Sequence, residues 1–318
     1  MNNQKTTTTH QNTQTLIAID VSKDSLEVKT QSSSFSLENS QRGFKALLRK
    51  VSPKTALLVV FEATGGYERA LAEFLHKRQI ALSIINPRLL RAFAISEGIK
   101  AKTDPIDAEM IYRFARSKAL RITAAPSADQ RELSDLLDRR NHLSEFIARE
   151  HNRIHKALSK TMLASLRRSI KALEKEMALI EKLIRALVKA SPQLTKHCRI
   201  ITAVKGLGDI SAWTLLAQLP EISSLSRNQL VALAGVAPFN NDSGKFSGKR
   251  SIYGGRAKIR RVLFMAAKSA ARFNPVIRPY VEGLLVRGKP YKCAITAAIR
   301  KLLIHVHSLL KNSELSPC

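Results

Sequence analysis

Between residues 15 and 125 the apolar positions come in short alternating or continuous blocks, and beyond 126 they recur every three or four residues. These are the periods of strands and of helices. TLIAIDVS, SLEVKT and SFSLE are β-rich runs separated by turn residues, and they predict a three-stranded meander. A helix is predicted over 41–51. ALLVVFEAT (56–64) is continuously apolar, as expected of a strand covered on both faces. A helix over 66–78, a strand IALSIIN at 80–86 and a helix over 103–119 complete the segment. In the last helix Thr103 or Asp104 serves as N-cap, with Pro105 in the first turn.

That order of three strands, helix, strand, helix, strand, helix is the order of a ribonuclease-H-like domain, and it also fits other α/β sheets. From 127 to 190 the pattern is purely helical. Leu133, Leu136, Leu143, Ile147, Ile154 and Leu158 recur at three- and four-residue steps, and a second series runs from Leu166 to Leu187. Polar residues fill the gaps, so the segment predicts an amphipathic helix pair with coiled-coil character, serving as a spacer or for dimerisation. SPQLTKH (191–197) breaks the helix, and 198–318 is again mostly helical around one polar, Gly-rich stretch, FNNDSGKFSGKRSIYGG (239–255). The expected organisation is a disordered tail over 1–14, an α/β domain over 15–125, a helical coiled-coil linker over 126–195 and a mostly helical C-terminal domain over 196–318.

Charge points to the partner. The formal net charge is +28, and residues 196–318 carry 20 basic and 5 acidic side chains. Such a field attracts polyanions, with nucleic acid the leading partner. Aromatic residues make up only 5%, which argues against binding mainly by base stacking. No apolar run approaches the roughly 18–20 residues of a membrane span, and the polar start is no signal peptide. Cys198, Cys293 and Cys318 are few, odd in number and far apart, which suits the cytoplasm and no disulfide framework. His151 and His155 lack an HExxH context and read as a solvated helix face.

Three constellations could carry chemistry. Asp20 interrupts the apolar run IAID, Glu62 ends VVFE, and Asp104 and Asp107 lie three apart on one helix. Singly, each fits a cap, a solvated position or an ion pair. Together they suit Mg²⁺, which takes hard oxygen ligands, and two such ions could orient attack on a phosphate. Thr64, Gly65 and Gly66 follow Glu62 and permit close backbone approach to a phosphate. In VKGLGDISA (204–212), Gly206 and Gly208 fit either a helix-hairpin-helix phosphate loop or an ordinary helix turn. In the polar stretch, Ser243 stands among Lys245, Lys249, Arg250, Arg256, Lys258, Arg260 and Arg261. A serine needs activation to become a nucleophile, and a positive field is one route; the other reading is an ordinary loop residue. No histidine stands nearby for a protease-like triad. Ser247 and Ser251 are the nearest competitors.

EATGGYE (62–68), KTDPIDAEMI (102–111), VKGLGDISA and LAGVAPFNNDSGKFSGKRSIYGGRAKIRRVLFMA (233–267) together resemble the DEDD transposases of the IS110 family, the last block most of all its IS1111 subgroup. A pilin-gene DNA invertase belongs to the same wider family. The resemblance runs from about 15 to 310. It implies an N-terminal RuvC-like domain of ribonuclease-H fold, a coiled-coil connection and a C-terminal transposase domain. It implies that Asp20, Glu62, Asp104 and Asp107 are the DEDD carboxylates holding Mg²⁺ and that Ser243 is the nucleophile. It further implies double-stranded DNA as substrate, a noncoding guide RNA, and a homodimer or homotetramer whose subunits share each site. Lys245, Arg250 and Arg256 are then expected as phosphate clamps. Tyr253 stands where the family usually has an aromatic or a lysine. A hydrolytic junction resolvase and a non-catalytic nucleic-acid-binding protein remain the rival classes.

Overall fold

The computed structural model describes residues 15–51, 57–99, 104–239, 242–243, 246–248 and 250–315, so the expected tail lies outside the described residues. The described chain divides into two units, meeting at Ala125 and Pro126.

The first unit is a mixed five-stranded sheet flanked by helices. β1 (Thr15–Val21), β2 (Ser25–Lys29) and β3 (Ser34–Glu38) form the predicted meander. α1 (Gln41–Val51) then leads to β4 (Leu57–Glu62), α2 (Arg69–His76) and β5 (Ala81–Ile85). The strand order is β3-β2-β1-β4-β5, with β4 parallel to both β1 and β5. β4 is apolar from Leu57 to Phe61 because both its faces are covered. Phe61 and Val59 share a core with Phe44 of α1 and Leu75 of α2, while Val60 packs with Ala18 on the opposite side. That opposite side is closed by α3 (Pro87–Ser96) and α4 (Asp104–Ser117), joined by an edge-on contact of Phe93 and Phe114 at 5.4 Å. α3 is absent from the element order read from the sequence. Its signal is nonetheless local: Asn86 caps it by accepting from Arg88 N at 2.9 Å, and Pro87 sits at its first position.

The second unit is helical. α5 (Ala128–Ile154) begins with a reciprocal capping box of Ser127 and Gln130, and α6 (Lys160–Ala190) begins with Ser159 as cap. The two pair within the chain, tied by Arg140 and Glu181 at 3.0 Å. SPQLTKH does end α6, but it also starts α7 (Pro192–Thr202), because Ser191–Pro192 is an N-terminal signal as well as a break. α8 (Asp209–Gln218), α9 (Arg227–Ala234), α10 (Ala257–Phe273), α11 (Ile277–Val286) and α12 (Tyr291–Leu315) follow. Leu133, Leu137, Leu143, Ile180 and Ile184 of the helix pair belong to the same hydrophobic cluster as Ile201, Trp213 and Leu303. The base of the pair is therefore part of the C-terminal core, while Leu158 at its far end is fully exposed.

Contrary to the reading of the apolar runs, α12 holds one stretch, Tyr291–Ser313, long and apolar enough by composition to cross a membrane. Half of its most apolar window is buried within the unit, where Ile295, Leu302 and Val306 face α9–α11 as core residues. Arg300 and His305 on the same helix are exposed, so α12 lays one apolar side on the core and turns the other to solvent.

Candidate active site

In the first unit, register decides which acids are neighbours. β1 and β4 run parallel with Ile19 beside Phe61, so Asp20 and Glu62 occupy the next positions on adjacent strands. Ile19 and Phe61 face α1 and α2; side chains alternate, so Asp20 and Glu62 return to the face covered by α4. Both are half-buried. α4 opens with Asp104 and carries Asp107, also half-buried, one turn further on. Asp107 stands two residues before Glu109, which bonds Lys29 at 3.0 Å and Arg113 at 2.9 Å. Burial pushes the Glu109 carboxyl up, but the hydrogen bonds and charges of Arg113 and Lys29 outweigh it and hold the group below the usual carboxylate range.

One acid escaped the sequence reading. Glu27 of β2 lies directly opposite Asp20. Leu26 and Val28 point into the other core, so Glu27 shares the α4 face. Three carboxylates, Glu27, Asp20 and Glu62, thus stand on three consecutive strands. The alternation in SLEVK contained this signal. Among the described residues no three or more His, Cys, Asp or Glu side chains are grouped closely enough to hold a metal.

The turn after β4 departs from its predicted role. Gly65 and Gly66 adopt φ of +80° and +131°, and the turn does bind an anion. The anion is internal: the Glu68 carboxylate accepts from Thr64 Oγ1 at 2.8 Å, Gly66 N at 2.8 Å and Thr64 N at 3.2 Å. Those donors are therefore engaged within the protein.

In the second unit the polar stretch is a β-hairpin. β6 (Pro238–Phe239) pairs with β9 (Ser251–Ile252), and β7 (Asp242–Ser243) pairs with β8 (Phe246–Ser247). Ser243 pairs with Phe246 in the β7–β8 ladder. Lys245 and Lys249 lie outside the described residues. Arg250 is exposed. The other predicted nucleic-acid contacts have partners inside the unit. Lys258 bonds Asp138 at 2.7 Å and Arg261 bonds Glu145 at 3.2 Å, both on α5. Arg256 bonds Glu221 at 2.8 Å and the Gln218 carbonyl, and Arg260 bonds the carbonyls of Ala234 and Gly254. Sequence shows how many cations crowd a segment, but not which of them fold inward.

The GLG turn between α7 and α8 divides into two roles. Gly206 has φ +103°, and a Cβ there would sit 2.6 Å from the Ala270 methyl of α10. Asn274 locks the same contact by donating to the Lys205 carbonyl at 2.9 Å. Gly206 is therefore a packing glycine. At Gly208, the N-cap of α8, an added Cβ would meet nothing within 4 Å, and no side chain caps the helix, so its N-terminus is open to an anion. Gly206→Ala is expected to destabilise this unit by about 3 kcal/mol or more through strained φ and overpacking. Thermal unfolding would read this as a fall of roughly 6–12 °C. Gly208→Ala should cost about 1 kcal/mol or less, through a poorer N-cap. Equal losses would contradict the division.

Beside this turn lies a groove of about 260 Å³ lined by Arg185, Lys189, Arg199, Asp209 and Trp213. Arg185 stands over the Trp213 ring at 5.5 Å. Cys198 also lines it, and burial, with the Asp209 charge, pushes its thiol up to about 11, which keeps it protonated and inert near neutrality. These cations are dispersed in sequence, and only the fold gathers them.

Known proteins place the chain in a family. A transposase model of the IS110 DEDD type matches residues 17–163, and a model described as transposase of the IS116/IS110/IS902 family matches 198–282. The pilin gene-inverting proteins of Moraxella bovis and Moraxella lacunata are each 28% identical to the chain over 315 residues, covering 94% of it and 97% of their own length. An insertion element IS900 uncharacterized 42 kDa protein from Mycobacterium paratuberculosis is 27% identical over 159 residues, 49% of this chain and 39% of its own. With both models matched in order and relatives aligned from end to end, the chain belongs to the IS110 family of transposases and related recombinases.

Proposed function

We propose that this transposase cuts and rejoins DNA at the ends of a mobile element through a phosphoserine intermediate formed by Ser243. The observation that carries the reading is the register of β1 on β4, which makes Asp20 and Glu62 neighbours on the face covered by α4, the helix of Asp104 and Asp107. The strand order supports a RuvC-like, ribonuclease-H-type unit. Asp20 and Glu62 stand side by side as hard oxygen donors of like charge, the donor type that suits a divalent cation. Asp20, Glu62, Asp104 and Asp107 would hold Mg²⁺, which when bound would polarise a phosphoryl oxygen and offset developing charge. The Ser243 hydroxyl attacks phosphorus. The Oγ–P bond forms, the P–O3′ bond breaks, the serine proton passes to solvent and the released 3′ oxygen takes one up. The phosphodiester's energy stays in the Ser–O–P link, so rejoining needs no nucleotide.

A noncoding guide RNA selects the sites in this reading. The net charge of +28 and the few aromatics support a protein that grips backbones and leaves sequence to base pairing. Exposed Phe146, Leu179 and Leu183 on the helix pair support a homodimer or homotetramer. The end-to-end likeness to pilin gene-inverting proteins favours a second reading, site-specific inversion by the same chemistry. The test is covalent trapping. The protein is incubated with element-end DNA, the adjoining noncoding RNA and Mg²⁺, then denatured. The expected product is a protein–DNA adduct that EDTA prevents and that peptide mapping locates at Ser243. Nicked DNA without any adduct would favour hydrolysis by the carboxylates and sink the nucleophile assignment.

A further inference from the structure

The hairpin that carries Ser243 is held at its base, and the holding is done by two arginines that the sequence offers as nucleic-acid contacts. Gly235 ends α9 at φ +70° and Gly255 precedes α10 at φ +65°. The two backbones are so close that a Cβ on Gly255 would lie 2.3 Å from Gly235 N. Arg256 N–H closes the base by donating to the Leu233 carbonyl at 2.9 Å. Each guanidinium then caps a different helix. Arg256 reaches the carbonyl of Gln218, the last residue of α8, and the Glu221 carboxylate. Arg260 reaches the carbonyl of Ala234, the last residue of α9, at 3.3 Å, and that of Gly254 on the returning strand. Terminal helix carbonyls lack intrahelical partners and stand at the negative end of the dipole, so a cation is a favourable cap.

We infer that Arg256 and Arg260 are positioning residues that fix the base of the 238–252 hairpin and thereby the place of Ser243; this rests on Ser243 being the nucleophile. Both are half-buried, and their donors point at protein carbonyls. Ser243 pairs in the β7–β8 ladder, within the segment that these anchors bracket in sequence, so a small swing at the base displaces it. A misplacement of about 1 Å at a reacting atom can cost on the order of 10²-fold in rate.

A phosphate contact and a positioning role predict different losses. Removing a phosphate contact weakens nucleic-acid binding and reduces the slope of log affinity against log salt by about 1. The expected result for Arg260→Ala is unchanged DNA and RNA affinity, an unchanged salt slope, and an adduct-forming rate at saturating DNA reduced about 10²-fold. Gly255→Ala, which alters no charge, should reproduce that pattern. Arg260→Lys, which keeps the charge but cannot span both carbonyls, should fall between, and it serves if Arg260→Ala does not fold. Lost affinity with a reduced slope, or a wild-type rate in folded Arg260→Ala or Arg260→Lys, would overturn the inference. If wild type itself gives no adduct, the nucleophile reading fails, and amide hydrogen exchange reads the anchor separately. Faster exchange over 238–252 in Arg260→Ala, with α9 and α10 unchanged, would support it; unchanged exchange would overturn it.

Discussion

Replacing Ser243 by alanine is expected to abolish the protein–DNA adduct and slow strand transfer by at least about 10³-fold, with DNA and RNA affinity retained. The retained affinity follows from the hairpin. Pairing at the Ser243–Phe246 rung uses backbone atoms that alanine also supplies, so the tip keeps its register. The loss follows from chemistry: a methyl cannot attack phosphorus, and the neighbouring serines occupy other positions in the ladders. Ser247 pairs with Asp242 on the returning strand, and Ser251 belongs to the other ladder, opposite Phe239. Ser247→Ala and Ser251→Ala should therefore still form the adduct. Denaturing electrophoresis with labelled DNA reads all three variants. An adduct that survives in Ser243→Ala, or disappears in Ser247→Ala alone, would move the nucleophile elsewhere.

The sheet was legible in the sequence wherever burial writes a period. SLEVK alternates because only Leu26 and Val28 enter a core, whereas IAI and LLVVF do not because both their faces are covered. α4 was legible from the apolar spacing that follows Pro105, while Thr103, one of its two candidate caps, lies outside the described residues. What the sequence hid is of two kinds. The hairpin of 238–252 pairs polar residues whose ladder hydrogen bonds leave no apolar pattern, so it reads as a loop. Its Ser-Gly and Gly-Gly pairs were visible, but only pairing distinguishes a turn at a tip from a glycine at a base. The second kind is partnership. Thr64, Gly65 and Gly66 read as a phosphate-binding turn until the Glu68 carboxylate is found occupying it. Arg256 and Arg260 read as members of a basic cluster until the ends of α8 and α9 are seen to need cations. Glu27 was passed over because its neighbour Asp20 is seven residues away in sequence, yet directly across a strand in the sheet.

That cross-strand row gives Asp20→Asn two expected effects of opposite consequence. Metal-dependent strand cleavage and adduct formation should fall by at least about 10³-fold, because an amide donates no charge to a metal that needs hard anionic oxygens. The fold should survive. Asp20 lies between Glu27 on β2 and Glu62 on β4, and like charges directly opposite in a sheet are unfavourable by about 0.2–1 kcal/mol per pair. The isosteric amide removes that repulsion at constant volume and keeps a hydrogen-bonding group, so the first unit should still unfold cooperatively in metal-free buffer. Added Mg²⁺ should raise the wild-type melting temperature and leave that of Asp20→Asn nearly still, since only a site that binds the ion gains from it. DNA and RNA binding, which rests on the basic surface, should remain. Cleavage retained in Asp20→Asn would remove the metal assignment. A lower melting temperature with no response to Mg²⁺ in either protein would return Asp20 to a structural role. Activity lost, stability kept and the Mg²⁺ response gone, measured together on one variant, identify a carboxylate held in place for its ligand rather than for the fold.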